Sequence, residues 1–149
     1  MNRLVCMAAA LVALAPLGVA AQSTAVCPTL PVDAGLRWEQ MDGPGFLLCR
    51  AMREADGSEA FAITISPDSP FKPRRIDREE KASIAGQPAY WYRSEIVGQA
   101  QVIVRETLVE VGNGNVAHIS LRAASDTAKD QAMQQVQALR FEDVRLSSN

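Results

Sequence analysis

The chain has 149 residues, with 15 Lys and Arg against 17 Asp and Glu and a single His, giving a formal charge of −2 at pH 7. That mild acidity argues against a nucleic-acid binder, which carries a basic excess on one face. Three cysteines and one histidine also make a poor set of metal ligands.

The first 21 residues, MNRLVCMAAALVALAPLGVAA, read as an export signal. Arg3 supplies the positive end, Leu4 to Val19 the apolar run, and Val19-Ala20-Ala21 the small residues for cleavage before Gln22. Pro16 and Gly18 interrupt the run and small residues follow it, which fits a cleaved signal better than an anchor. Val26 stands before Cys27, where a lipid-anchored form needs a small residue. Removing 21 of the 149 residues leaves 128, residues 22–149, which suits a single domain with a real core. That part holds 14 cationic against 17 acidic side chains, a net charge of −3. No later stretch is long and apolar enough to span a bilayer. The reading is a soluble periplasmic or secreted protein.

Cys6 departs with the signal, leaving Cys27 and Cys49. In an exported protein such a pair most simply forms one disulfide, with a reactive thiol or a metal pair as the competing reading. After a lead-in at 28–35, LRWEQM (36–41), FLLCRAMR (46–53) and EAFAITIS (59–66) read as strands. DGPG and ADGS separate them, and Asp-Gly between alternating runs is a hairpin signal. A two-residue turn at Asp56-Gly57 places Met52 opposite Phe61, Leu48 opposite Ile65 and Cys49 opposite Thr64. A turn centred on Gly43-Pro44 sets Trp38 opposite Cys49, packed over the disulfide.

Residues 67–81, PDSPFKPRRIDREEK, contain three prolines, and eight of the ten residues from Lys72 to Lys81 are charged. This reads as an exposed loop that can also contact a partner. The pair Glu79-Glu80 then sits in solvent with ordinary acidity.

PAYWYRSEI (88–96), QVIVRETLVEV (101–111) and VAHISLRA (116–123) continue the strands. Parity across the GNGN loop favours a three-residue connection, Asn113 to Asn115. It sets Val109 opposite Ile119, Val111 opposite Ala117, Glu106 opposite Arg122 and Glu110 opposite His118, which keeps the carboxylates off the apolar face. With a short Gly98-Gln99 turn, Tyr90, Tyr92 and Ile96 join that apolar face. Trp91, Arg93 and Glu95 then stand on the other one, beside Glu106, His118 and Arg122. Trp91 and Arg93 there form a candidate contact surface, since Trp and Arg are frequent binding hot spots. Alternatively a covering segment such as 67–81 makes Trp91 ordinary core. The last element is a helix within 125–141, with Ala128, Ala132, Val136 and Leu139 in a stripe beside Met133 and Ser125 or Asp126 as cap.

The fold class expected is therefore α+β: an antiparallel sheet of about six strands with a C-terminal helix on one face and one disulfide. No nucleophile elbow, phosphate loop, zinc motif or cofactor motif appears. His118 and Ser120 share a strand face at a spacing of about 7 Å, too far for direct proton transfer.

The order LP…GLRW, IAGQPAYWY, ETLVEVGNGNVAHISLRAAS and a helix ending VQALRF resembles the PsbP-like fold family, which includes bacterial DcrB-like envelope proteins. The resemblance implies an antiparallel sheet flanked by helices and adaptor, assembly or chaperone-like roles. It assigns no residue a function. The functional reading is a non-catalytic exported domain that binds another exported or envelope protein, as an accessory factor or an inhibitor or immunity protein. The candidate surface is Trp91, Arg93, Glu106, His118 and Arg122, or the 72–81 loop. The alternatives are a small-ligand or lipid carrier with a cavity between sheet and helix, and a hydrolase centred on His118.

Overall fold

The computed structural model describes residues 25–142 and residue 144; the segment read as an export signal lies outside them. Among the described residues, seven strands and one α-helix form: β1 (Leu36–Gly43), β2 (Phe46–Arg53), β3 (Glu59–Ser66), β4 (Arg78–Ile84), β5 (Gln87–Ser94), β6 (Ile103–Glu110), β7 (Val116–Ala123) and α1 (Asp126–Gln137). They build one antiparallel sheet in the order β1-β2-β3-β7-β6-β5-β4. Two meanders, β1–β3 and β4–β7, meet where β3 pairs with β7. The class is α+β, with seven strands in place of the six expected.

The additional strand is β4, which occupies the end of the stretch read as a charged loop. It lies at the sheet's edge with β5 as its only strand neighbour among the described residues, so its charged side chains stay largely in solvent. Exposed charge on an edge strand discourages pairing with other chains, so charge density there does not argue against a strand. The β4–β5 hairpin closes through Ala85-Gly86, with φ of 52° and 72° and Ile84 opposite Gln87. Both turn positions are left-handed, the requirement of a two-residue hairpin loop whose twist matches its strands.

Cys27 and Cys49 form the expected disulfide, with their Cα atoms 5.9 Å apart. It ties the lead-in segment to β2 inside the core, where both cysteines are buried. The same segment is bonded to the chain's other end: Thr29 N–H donates to the Arg140 carbonyl at 2.8 Å, and Arg140 N–H to the Thr29 carbonyl at 3.2 Å. The Trp38 indole donates to the Pro28 carbonyl at 2.8 Å and meets the Phe61 ring edge-on at 5.9 Å. Its strand partner is Ala51; Gln40, not Trp38, stands opposite Cys49. The reason is that the turn is Pro44-Gly45, with Gly43 opposite Phe46, two residues away in register from the expected pairing.

The β2–β3 connection is also longer than a two-residue turn. Gly57 N–H donates to the Arg53 carbonyl, and the register shifts at Ala51/Met52. Cys49 therefore faces Ile63, and Leu47 faces Ile65. That one-residue change puts Leu47, Cys49 and Ala51 on the same buried face as Phe61, Ile63 and Ile65. Between β6 and β7 the expected parity holds, but the pairing is displaced by two: Val109 faces Ala117, Thr107 faces Ile119 and Glu106 faces Ser120. The loop is Val111–Asn115, closed by a bond from Val111 N–H to the Asn115 carbonyl at 3.0 Å.

The largest correction concerns β5. Arg93 pairs with Arg105 and Tyr92 with Glu106, so odd-numbered residues of β5 share a face with Thr107, Ile119 and Ile63. Trp91 is 0% exposed within the core, and Tyr90 and Tyr92 are half-buried on the opposite face. The physical reason lies in the β5–β6 loop, where two consecutive turns bond Gln99 N–H to the Ile96 carbonyl and Val102 N–H to the Gln99 carbonyl. That path differs from a Gly98-Gln99 turn by one residue in register, and one residue exchanges the two faces of a strand.

Helix α1 begins at Ser125, whose hydroxyl accepts from Ala128 N–H at 3.2 Å. Ala132, Met133 and Val136 are buried against the sheet, and Leu139 and Phe141 continue the core past the helix end.

Ala85 is the one β4–β5 turn position where a Cβ sits in the left-handed region, at a cost of about 1 kcal/mol. Ala85→Asn keeps the conformation with a residue that tolerates it, and thermal unfolding is expected to show a gain of roughly 0.5–1 kcal/mol. A loss on this substitution would contradict the turn geometry.

Candidate functional site

Linking β3 in the middle of the sheet to β4 at its far edge requires a long crossover past β7, β6 and β5. Residues 67–77 make it on the face opposite α1. Phe71, the one aromatic of the Pro-rich stretch, anchors the crossing. Its ring stacks on His118 of β7, with centroids 4.9 Å apart and planes 7° apart, and meets Tyr92 of β5 edge-on at 6.0 Å. A single 3-10 turn, Arg75–Asp77, then leads into β4, with Arg74 bonded to Asp77 at 2.7 Å. The 67–81 segment thus covers part of a sheet face, as the alternative reading allowed. The face it covers is that of the tyrosines, and Trp91 lies on the other.

Three of the five candidate residues, Glu106, His118 and Arg122, share the crossover face, whereas Trp91 and Arg93 belong to the other face, as the one-residue change in the register of β5 requires. His118 Nε2 lies 3.0 Å from Glu106 Oε1. The Glu106 carboxyl is held below its usual range, first by the His118 hydrogen bond, against burial, and then by Ser94 and the charge of Arg122. Arg122 is exposed on the same face as His118. Arg93 sits at the end of β5, exposed, with its guanidinium 3.6 Å from Glu79. A groove of about 460 Å³ is lined by Phe71, Lys72, Arg74, Tyr92, Arg93 and Glu106, among others. Beside it, the Arg78 guanidinium lies 4.6 Å over the Tyr90 ring. The site therefore contains Tyr92 where the sequence reading had Trp91, and adds Phe71. Parity hid the tyrosine, and Phe71 was concealed because its contacts are distant in sequence.

The histidine's contacts are a carboxylate and an aromatic ring, and Ser120 lies opposite Glu106 in the ladder. Among the described residues no group of three His, Cys, Asp or Glu side chains converges to hold a metal ion. No helix among them is long and apolar enough to cross a membrane.

On the helix side, a second polar cluster locks α1 to the sheet. Lys129 is 8% exposed and holds three carboxylates: Glu80 at 3.1 Å, Asp126 at 3.2 Å and Asp130 at 3.2 Å. Glu80 also accepts a forked pair of bonds from Arg105, Nε to Oε2 at 2.9 Å and Nη2 to Oε1 at 3.1 Å. Glu80 is therefore no solvated loop carboxylate. Burial raises its pKa, but the bonds from Arg105, its own backbone N–H and Lys129 outweigh that and bring it down to about 2. Burial likewise disfavours the charged Lys129, and its three carboxylates outweigh that and push its pKa up. The sequence carried a signal for this cluster: Lys129 falls at i−3, i−4 and i−7 from Ala132, Met133 and Val136, a buried stripe that admits a cation only when it is paired.

Two further grooves lie at the ends of the sheet. One of about 530 Å³ runs along the β5–β6 loop from Arg93 to Val104 and reaches Asp126 at the helix start. The other, about 480 Å³, lies between the β4–β5 turn, the β6–β7 loop and the segment after α1. No protein family, curated protein or solved structure matches the chain.

The Glu80 cluster predicts a pH dependence. A carboxyl depressed from 4.5 to about 2 on folding stabilises the fold at pH values above 4.5, and that contribution is lost as pH falls through about 2. Denaturant titrations from pH 6 to pH 2 are expected to show Glu80→Gln less stable than the parent at pH 6 by about 2–3 kcal/mol. The difference should shrink toward pH 2. A constant difference across that range would contradict the ionic role.

Proposed function

We propose that the protein is a non-catalytic exported domain that docks another exported or envelope protein through the crossover face of its sheet. The observation that carries this reading is the meeting of Phe71, Tyr92 and Glu106 along one open groove, with His118 stacked on Phe71 and bonded to Glu106 and Arg122 exposed on the same face. Tyr and Arg are the residues that interfaces favour, because rigid rings and planar guanidinium groups give large contact area at low entropic cost. Trp91, in this reading, supports the face from below instead of forming its anchor.

The Cys27–Cys49 disulfide supports an oxidising compartment, in line with cleavage of the export signal after Ala21 and a periplasmic or secreted location. The antiparallel sheet with a C-terminal helix is compatible with the PsbP-like resemblance, and the adaptor roles known for that fold agree with a binding domain by analogy alone.

The test is affinity capture from an envelope fraction with the purified protein as bait, beside a Lys72→Glu/Arg122→Glu variant of unchanged melting temperature. The reading predicts one protein retained stoichiometrically by the parent and lost by the variant. Equal recovery by both, or no retained protein, would contradict it.

A further inference from the structure

The two edges of the sheet are built differently. β4 carries exposed Arg78, Glu79 and Lys81 and a register shift between Arg78 and Lys81. Charges and bulges of this kind prevent pairing with another strand. β1 has neither a shift in its register with β2 nor a proline, and it runs for eight residues.

The outward hydrogen-bonding groups of β1 are set by its turn. Gly43 and Phe46 close a two-residue loop and so exchange backbone bonds. Bonded pairs alternate from there, at Met41–Leu48, Glu39–Arg50 and Arg37–Met52. The N–H and C=O groups of Leu36, Trp38, Gln40 and Asp42 consequently point away from β2. Among the described residues, β1 has β2 as its only strand neighbour.

We propose that β1 is a self-association edge, pairing antiparallel with β1 of a second copy so that Trp38 faces Trp38 across a two-fold axis. Leu36 of each chain then bonds to Gln40 of the other, and the outward groups of Leu36, Trp38 and Gln40 are used in both copies. On the crossover face this register sets Arg37 opposite Glu39 of the second copy, twice. Both side chains are about half exposed, with their present partners at 3.1 Å within the chain and, for Glu39, Arg50 at 3.3 Å. The charges select the register. A displacement of two residues sets Glu39 against Glu39, and a displacement of four sets Arg37 and Glu39 against Gly43 and Met41. The occupant that matches the strand's own charge pattern is thus a second copy, and an isologous contact of this kind closes at a dimer. The result is a continuous sheet of twice seven strands.

Sedimentation velocity of the purified protein tests this, with Arg37→Glu and Arg37→Glu/Glu39→Arg as variants. A dimer is expected at concentrations up to about 100 µM, as suits a narrow interface. Arg37→Glu turns both attractive pairs repulsive, and its dissociation constant should rise about tenfold or more. The double variant restores opposite charges and should return to within about threefold of the parent. If Arg37→Glu fails to fold, Glu39→Arg probes the same contact from the other side. A protein that stays monomeric, a dimer insensitive to Arg37→Glu, or a double variant that does not recover would each overturn the proposal.

Discussion

The side on which β5 presents Trp91 governs the arrangement of both faces of the sheet. Side chains alternate across a strand, so seating the indole in the core forces Tyr90 and Tyr92 onto the opposite face. There Tyr92 meets Phe71, and Phe71 meets His118. The crossover from β3 to β4 is held down by these rings and not by backbone pairing. Burying an aromatic of this size contributes several kcal/mol, more than any one exposed ion pair on either face, so the indole decides the orientation.

The same alternation separates two kinds of electrostatics. On the helix side, Lys129, Glu80 and Arg105 are withdrawn from solvent and bind α1 to β4 and β6. Removing one member leaves the others underpaired, so the cluster acts as a clamp on the helix. On the crossover face, Glu106, His118 and Arg122 are partly or fully open, with one close pair at 3.0 Å. Such groups keep hydrogen-bonding capacity for a partner. The disulfide anchors the arrangement from the far side by fixing the lead-in segment to β2, while Thr29 and Arg140 join it to the chain's end.

Much of the architecture was legible from residue pattern. Periodicity located α1 and its Ser125 cap, and the alternating runs located six strands. The cysteine count, read with the expected export, gave the disulfide. Parity between β6 and β7 was also legible, because a wrong choice would have buried Glu106 and Glu110 on the apolar face. What pattern could not supply was loop length. The β5–β6 connection holds two turns where one was expected, and that reversed β5. β4 was hidden because an edge strand is allowed the charge density of a loop, although Ala85-Gly86 between SI and QP marked its hairpin. For the candidate site, the reading found Glu106, His118 and Arg122, missed Phe71 and Tyr92, and placed Trp91 and Arg93 on the wrong face.

The most direct test of the account is the environment of Trp91 itself. In a Trp38→Phe variant, Trp91 is the single fluorophore of its type within residues 22–149. The account predicts blue-shifted emission and strong protection from acrylamide quenching, both lost on unfolding in denaturant. Red-shifted emission with free quenching in the folded protein would place Trp91 on the solvent side of the sheet and contradict the orientation on which the crossover face depends.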